Sequence, residues 1–253
     1  MKTLVMANQK GGVGKTSTLV HLAYSFQEKG KRVVVVDLDT QGNASYTLAS
    51  FARDMRSSLL FHAEAQKMPE AREAISVIPA DASLMAVESL PRAEAQRRFR
   101  QSVGKLAEAG YDVCLVDTAP ALGIRMSAAL ASADFVISPI ELEVYSIQGI
   151  KMMLATIFNI RRECNSGLSF LGMLPSRVDS RNPRHKEHLN ALQDAYPKLL
   201  VPVTIGLRSS VADALASQMP VWRIRKTAAR SAAREFRALG EYVFGKLYPG
   251  EAR

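Results

Sequence analysis

Cysteine is scarce in this chain, with Cys114 and Cys164 the two examples in 253 residues. Two distant thiols exclude a disulfide framework and point to a reducing, cytoplasmic setting. No apolar run approaches the ~18 residues that a membrane span needs. A signal peptide is not expected either, because the apolar start is broken at once by Asn8, Gln9 and Lys10. Internal repeats, low-complexity tracts and long linkers are all missing, so one domain over residues 1–253 is expected. Acidic residues are in deficit, 24 against 33 basic ones, which leaves a net charge of +9. A balance that basic points to a polyanionic partner, either nucleic acid or an acidic membrane surface. Neither a helix-turn-helix signature nor a zinc-ligand spacing is present, which argues against sequence-specific DNA reading.

What is present is an alternation of short β-branched runs with helical patterns. Leu4–Ala7, Val33–Val36, Ile75–Ile78, Val113–Val116, Phe135–Ile137, Phe170–Leu174 and Val201–Ile205 read as buried strands. Ser17–Lys29, Ala93–Ala109, Ile147–Arg162 and Lys226–Leu247 carry the 3.6-residue period of helices, and Phe51–Arg72 reads as helix plus surface loop. Strands apolar on both faces imply an α/β fold, a mostly parallel sheet flanked by helices on both faces. Ligands bind such sheets beyond the carboxyl ends of the strands.

The segment Gln9-Lys10-Gly11-Gly12-Val13-Gly14-Lys15-Thr16-Ser17 follows the first strand and opens the first helix. That is the context of a phosphate-binding loop: glycines turn backbone N–H groups inward, and the helix N-terminus adds partial positive charge. Lys15 suits the β- and γ-phosphates of a nucleotide, and the Thr16 hydroxyl suits Mg²⁺. Asp117, at a strand end, is placed to hold a metal-bound water. The loop departs from the ordinary form in having Gln9 where Gly is usual, and an additional Lys10. By spacing alone, Lys10 is equally well read as a solvated charge.

Lys10 to Thr16 resembles the deviant Walker A motif of ParA- and MinD-type ATPases, a P-loop NTPase class. Asp37-Leu38-Asp39-Thr40-Gln41-Gly42-Asn43 resembles the second signature of that family, with Thr40 in place of the usual Pro. Asp117-Thr118-Ala119-Pro120 resembles its Walker B and switch segment. The likeness extends over the chain and is strongest to small plasmid partition ATPases that lack an N-terminal DNA-binding domain. Ser138–Glu143 and Tyr145–Gly149 carry that closer match. The resemblance implies an ATPase with ATP and Mg²⁺ as cofactors and weak intrinsic turnover. It implies catalytic roles for Lys10, Lys15 and Asp39, the last orienting the attacking water. Thr16, Asp39 and Asp117 would surround the metal, with Asp37 behind them. Lys10 would reach the nucleotide of a second subunit in an ATP-dependent homodimer. Arg177 and Arg208, on later loops, stand where relatives hold the base. The implied partners are non-specific DNA on the nucleoid and a centromere-binding ParB-type protein.

Residues 223–237 hold six basic side chains and one acidic one. Lys226, Arg230 and Arg234 recur every four residues, as on one helix stripe, without interleaved aromatics, a pattern suited to phosphate contact. Arg223 and Arg225 extend it. A second group contains Arg181, Arg184 and Lys186, and the resemblance associates Arg181 and Arg208 with DNA. Two other classes stay open at this level: a membrane-associated positioning ATPase with an amphipathic C-terminal helix, and a metabolic ligase or kinase on a similar loop. His185 and His188 lack a third ligand for a metal, and Cys114 reads as a buried apolar residue.

Overall fold

The computed structural model describes residues 1–64, 66–142 and 146–251. In chain order the main elements are β1 (Lys2–Met6), α1 (Lys15–Glu28), β2 (Val33–Asp37), α2 (Asn43–Thr47), β3 (Ile75–Ile78), α3 (Leu84–Val87), α4 (Arg92–Glu108) and β4 (Val113–Asp117). There follow α5 (Ile124–Ala131), β5 (Phe135–Ile140), α6 (Ser146–Glu163), β6 (Ser169–Pro175), α7 (Pro183–Ala195), α8 (Ser209–Ala216) and α9 (Ala229–Leu247).

The strands form one parallel sheet in the order β3-β2-β4-β1-β5-β6. Alternate strand residues feed two cores, as the two-residue period of a pleated strand requires. Leu4, Met6, Val33, Val35 and Leu115 face α1 and α9. Val5, Val34, Val36, Cys114 and Val116 face the layer built by α4, α5 and α6. The chain leaves β1 toward β2 on one side, and later passes from β4 to β5 on the other. The crevice this reversal opens lies at the carboxyl end of β1, where the glycine-rich loop begins.

Three expectations need correction. Val201–Ile205 runs beside β6 without forming a strand: Val201 N–H donates to the Met173 carbonyl and Ile205 N–H to that of Pro175, both at 2.9 Å. Between these two bonds the segment advances four residues while β6 advances two, so no regular ladder register is kept. Phe51–Arg72 contains no α-helix among its described residues, only the 3₁₀ turn Ser57–Phe61 and the end of another at Ala49–Phe51. Helix α9 starts at Ala229, so Arg223, Arg225 and Lys226 lie on the turn and loop before it rather than on one helical stripe with Arg230.

Phe236, Leu239, Val243, Phe244 and Leu247 of α9 are buried in the core shared with α1. That packing places the apolar face of α9 in the core. No helix among the described residues is long and apolar enough to cross a membrane. His21 of α1 ties the two helices together. Its ring stacks on Phe236 at 3.9 Å, its Nδ1 lies 2.7 Å from the Ser17 carbonyl, and its Nε2 accepts from Val221 N–H at 3.1 Å. These partners require the neutral Nδ1–H tautomer, and burial pulls the pKa down to about 4 from an ordinary 6.5.

A proton bound only by the unfolded chain destabilises the fold. The contribution of His21 is therefore complete above pH 6.5 and is lost as the pH falls toward 4. The slope is about 1.4 kcal/mol per pH unit. Asp37 and Asp117, whose pKa values are raised by burial, act in the opposite direction. The difference in urea unfolding free energy between wild type and His21→Gln should therefore shrink between pH 6.5 and 4.5. A constant difference would remove His21 from the acid response.

Candidate active site

Gly12 and Gly14 adopt positive φ, 76° and 92°. At Gly14 a Cβ would also meet Ser176 Oγ at 2.7 Å and Ser17 Oγ at 3.2 Å, so glycine is required twice over. The Gly14 carbonyl starts α1 by accepting Thr18 N–H at 3.0 Å. Behind the loop, Asn8 donates to the Pro139 carbonyl at 2.7 Å and accepts Lys10 N–H at 2.9 Å, which fastens the loop to β5. Lys15 curls back over the loop, its ammonium 3.0 Å from the Lys10 carbonyl. Burial lowers its pKa, while Asp117 and Asp39 favour the charged form.

A cavity of about 540 Å³ opens beside the loop, lined by Gly11, Gly12, Gly14, Lys15, Thr16 and Ser17, with Asp39, Gln41, Tyr46, Pro120 and Leu215 among the facing residues. Val13 is buried beneath it. The sheet register places Asp37 and Asp117 directly opposite each other at the ends of β2 and β4. Asp37 is well satisfied: Ser45 donates from both N–H (2.8 Å) and Oγ (2.6 Å), and Asp39 N–H donates at 3.1 Å. Asp117 accepts the Thr16 hydroxyl at 2.7 Å through one oxygen, while its other oxygen is buried with no partner. Burial, reinforced by the Asp37 carboxyl, holds Asp117 far above the usual carboxylate range.

That orphaned oxygen beside a threonine hydroxyl fits a site for Mg²⁺ held with water and phosphate oxygens, which needs few protein ligands. Among the described residues no group of three His, Cys, Asp or Glu side chains forms an all-protein cage. Asp39 lines the same cavity, its carboxylate accepting Gln41 N–H at 3.0 Å.

The other site candidates are placed differently. Lys10 pairs with Glu141 at 2.7 Å, and Arg177, at φ 56°, pairs with the other oxygen of Glu141 at 2.9 Å. Arg208 pairs with Glu235 of α9, and neither arginine lines the phosphate cavity. Sequence reasoning missed Asn8 and Glu141; for Glu141, the available signal was a carboxylate directly after the end of an apolar strand. Glu143 and Tyr145, in the motifs of the closer resemblance, lie outside the described residues.

The basic residues also divide. Arg181 is tied to Asp179 on its own turn, Arg223 lies 3.8 Å from Glu28, and Lys226 pairs with Asp213 at 2.8 Å. Arg184, Arg225 and Arg230 are exposed and have no ion pair among the described residues. His185 and His188 serve structure: His185 Nδ1 accepts Asp179 N–H at 3.0 Å, and His188 Nδ1 lies 2.7 Å from the Leu142 carbonyl.

A family model described as an AAA domain matches residues 1–170. Protein IncC of Escherichia coli is 56% identical over 256 residues, covering 98% of this chain and 70% of the relative. The chain belongs to the ParA/MinD-type family of P-loop ATPases. The chromosome-partitioning ATPase Soj of Thermus thermophilus is 35% identical, covering 72% of this chain and 71% of its own. Among solved structures, cobyrinic acid a,c-diamide synthase from Mycobacterium smegmatis with bound ADP and magnesium superposes with a TM-score of 0.78. Its identity is 25%, with 100% of this chain and 97% of that chain covered. The chain is an ATPase that uses ATP with magnesium.

Lys15→Ala removes the cation fixed inside the loop. ATP affinity should fall by about 30-fold or more, the order of loss when one partner of a buried, hydrogen-bonded charge pair is truncated. Isothermal titration with Mg-ATP checks this, and near-wild-type affinity would refute the assignment.

Proposed function

We propose that the protein is a DNA partition ATPase, with residues 1–253 acting as one ATPase domain in the cytoplasm and on the nucleoid. The observation that carries this reading is the glycine loop with Lys10 beside it, set against the half-satisfied Asp117, in a chain so similar to IncC over its length. The loop amides and Lys15 hold the nucleotide phosphates. Thr16 and Asp117 would hold Mg²⁺, which when bound supplies charge neutralisation at the phosphates. Asp39, on the cavity wall, orients the attacking water. Little covalent help is needed, since positioning and electrostatics dominate phosphoryl transfer.

Lys10 is 46% exposed, and Glu141 holds it at the surface in the single subunit. In the proposed ATP dimer it leaves Glu141 and neutralises developing charge on the second subunit's nucleotide. A centromere-binding ParB-type partner then accelerates hydrolysis and releases the dimer from DNA. Lys10→Ala should keep nucleotide binding and lose ATP-dependent dimerisation, read by light scattering. Mixed with Asp39→Ala subunits, it should regain turnover if the contact is in trans; no recovery in the mixture would place the contact in cis.

DNA binding through phosphates alone predicts ATP dependence, indifference to sequence and a steep loss with salt. Arg225 and Arg230, exposed and without ion pairs among the described residues, are the better probes than Arg223 or Lys226, whose charge is already engaged. Arg225→Ala with Arg230→Ala should weaken DNA cosedimentation for all sequences and reduce the slope of log affinity against log salt. Wild-type binding with an unchanged slope would move the surface to Arg181 and Arg184. Sedimentation with anionic vesicles, but not with DNA, would favour the membrane-associated alternative.

A further inference from the structure

We propose that Arg125 is a positioning residue for hydrolysis, acting by holding the peptide that carries Asp39. The inference rests on the reading of Asp39 as the water-orienting carboxylate. Arg125 is the second residue of α5, and its side chain is 11% exposed. Its Nη1 donates to the Leu38 carbonyl at 2.8 Å, and its Nε donates to Glu88 at 2.7 Å.

The Leu38 carbonyl and the Asp39 N–H belong to one peptide plane, which is rigid. Arg125 holds that plane by its oxygen, and Asp37 Oδ1 holds it by its N–H at 3.1 Å. The residue before it is also pinned, since Leu38 N–H donates to the Asp117 carbonyl at 3.0 Å. The Cα of Asp39 therefore has its direction set from both sides, with Arg125 the one side-chain cation in the clamp among the described residues.

Glu88 fixes the arginine in turn. Its carboxylate also accepts Ile124 N–H at 2.7 Å at the start of α5. Gly123 makes room for it, because a Cβ there would collide with that carboxylate. A guanidinium is needed because two donors of fixed divergence must serve a carbonyl and a carboxylate together, and an ammonium is a single point charge. The start of α5 directly follows the 118–123 loop, whose Pro120 lines the nucleotide cavity. Arg125 thus links the loop after β4 to the loop after β2, so the two loops that carry Pro120 and Asp39 into the cavity share one set of bonds.

The test is a double-mutant cycle on ATP turnover with Arg125→Ala, Asp39→Ala and the double variant, scored by release of labelled phosphate. Arg125→Ala is expected to lower kcat about 10-fold or more while the KM for ATP changes by less than about 3-fold. In the Asp39→Ala background, removing Arg125 should change kcat by less than about 2-fold, because its target is already gone. Arg125→Lys should behave as the Ala variant does. An equal fold-loss in both backgrounds, wild-type turnover of Arg125→Ala, or full activity of Arg125→Lys would overturn the proposal. Wild-type turnover of Asp39→Ala would overturn it too, and would locate the failure in the Asp39 reading. If Arg125→Ala does not fold, Glu88→Gln takes its place with the same pattern expected at smaller amplitude.

Discussion

Two carboxylates buried face to face at the ends of β2 and β4 are the constraint on which the site depends. Like charges in a low dielectric cannot both be ionised cheaply, and an unpaired buried oxygen adds to the cost. The fold answers for one of them: Asp37 receives three hydrogen bonds and becomes part of the framework. Asp117 is left with one threonine hydroxyl and one bare oxygen. Such a carboxylate is expensive to maintain in the absence of a cation and well suited to receive one. The phosphate loop, the cavity and the second signature are arranged around that deficit.

The surroundings of the loop extend this logic outward. Lys15 is turned inward and partly desolvated, whereas Lys10, five residues earlier, is turned outward onto Glu141. A single carboxylate holding both Lys10 and Arg177 means that neither cation is available to an incoming anion without a competition. A phosphate with more than one negative charge can win that competition where a carboxylate has one. On the opposite side of α1, His21 joins the same helix to the segment that leads into Arg223, Arg225 and Lys226. The phosphate loop and the basic loop thus rest on one helix.

Much of the fold was legible in the sequence because parallel strands buried on both faces leave an unmistakable apolar run. Val33–Val36 and Val113–Val116 differ from the observed strands only by the terminal aspartates. Val201–Ile205 carried the same composition and failed, since its register against β6 slips between Val201 and Ile205 and composition does not encode register. The glycine loop was legible because its chemistry is local. Glu141 and Arg125 were not, because their roles arise from contacts 131 and 87 residues away along the chain, at Lys10 and Leu38. The charge available on the basic segment was not legible for the same reason: Glu28 pairs with Arg223 and Arg237, and Asp213 with Lys226, from elsewhere in the sequence.

Asp117, with one bare oxygen, and Thr16 make an incomplete cation site that a nucleotide's phosphates would complete. Thermal unfolding in the presence of ATP, with Mg²⁺ or with a chelator, tests it most directly. A ligand that binds only the folded state raises Tm by an amount that grows with the logarithm of its affinity. A large rise is expected with Mg-ATP, a much smaller one with ATP and chelator, and loss of that difference in Asp117→Asn. Equal stabilisation by ATP with and without Mg²⁺, or an undiminished magnesium effect in Asp117→Asn, would contradict it.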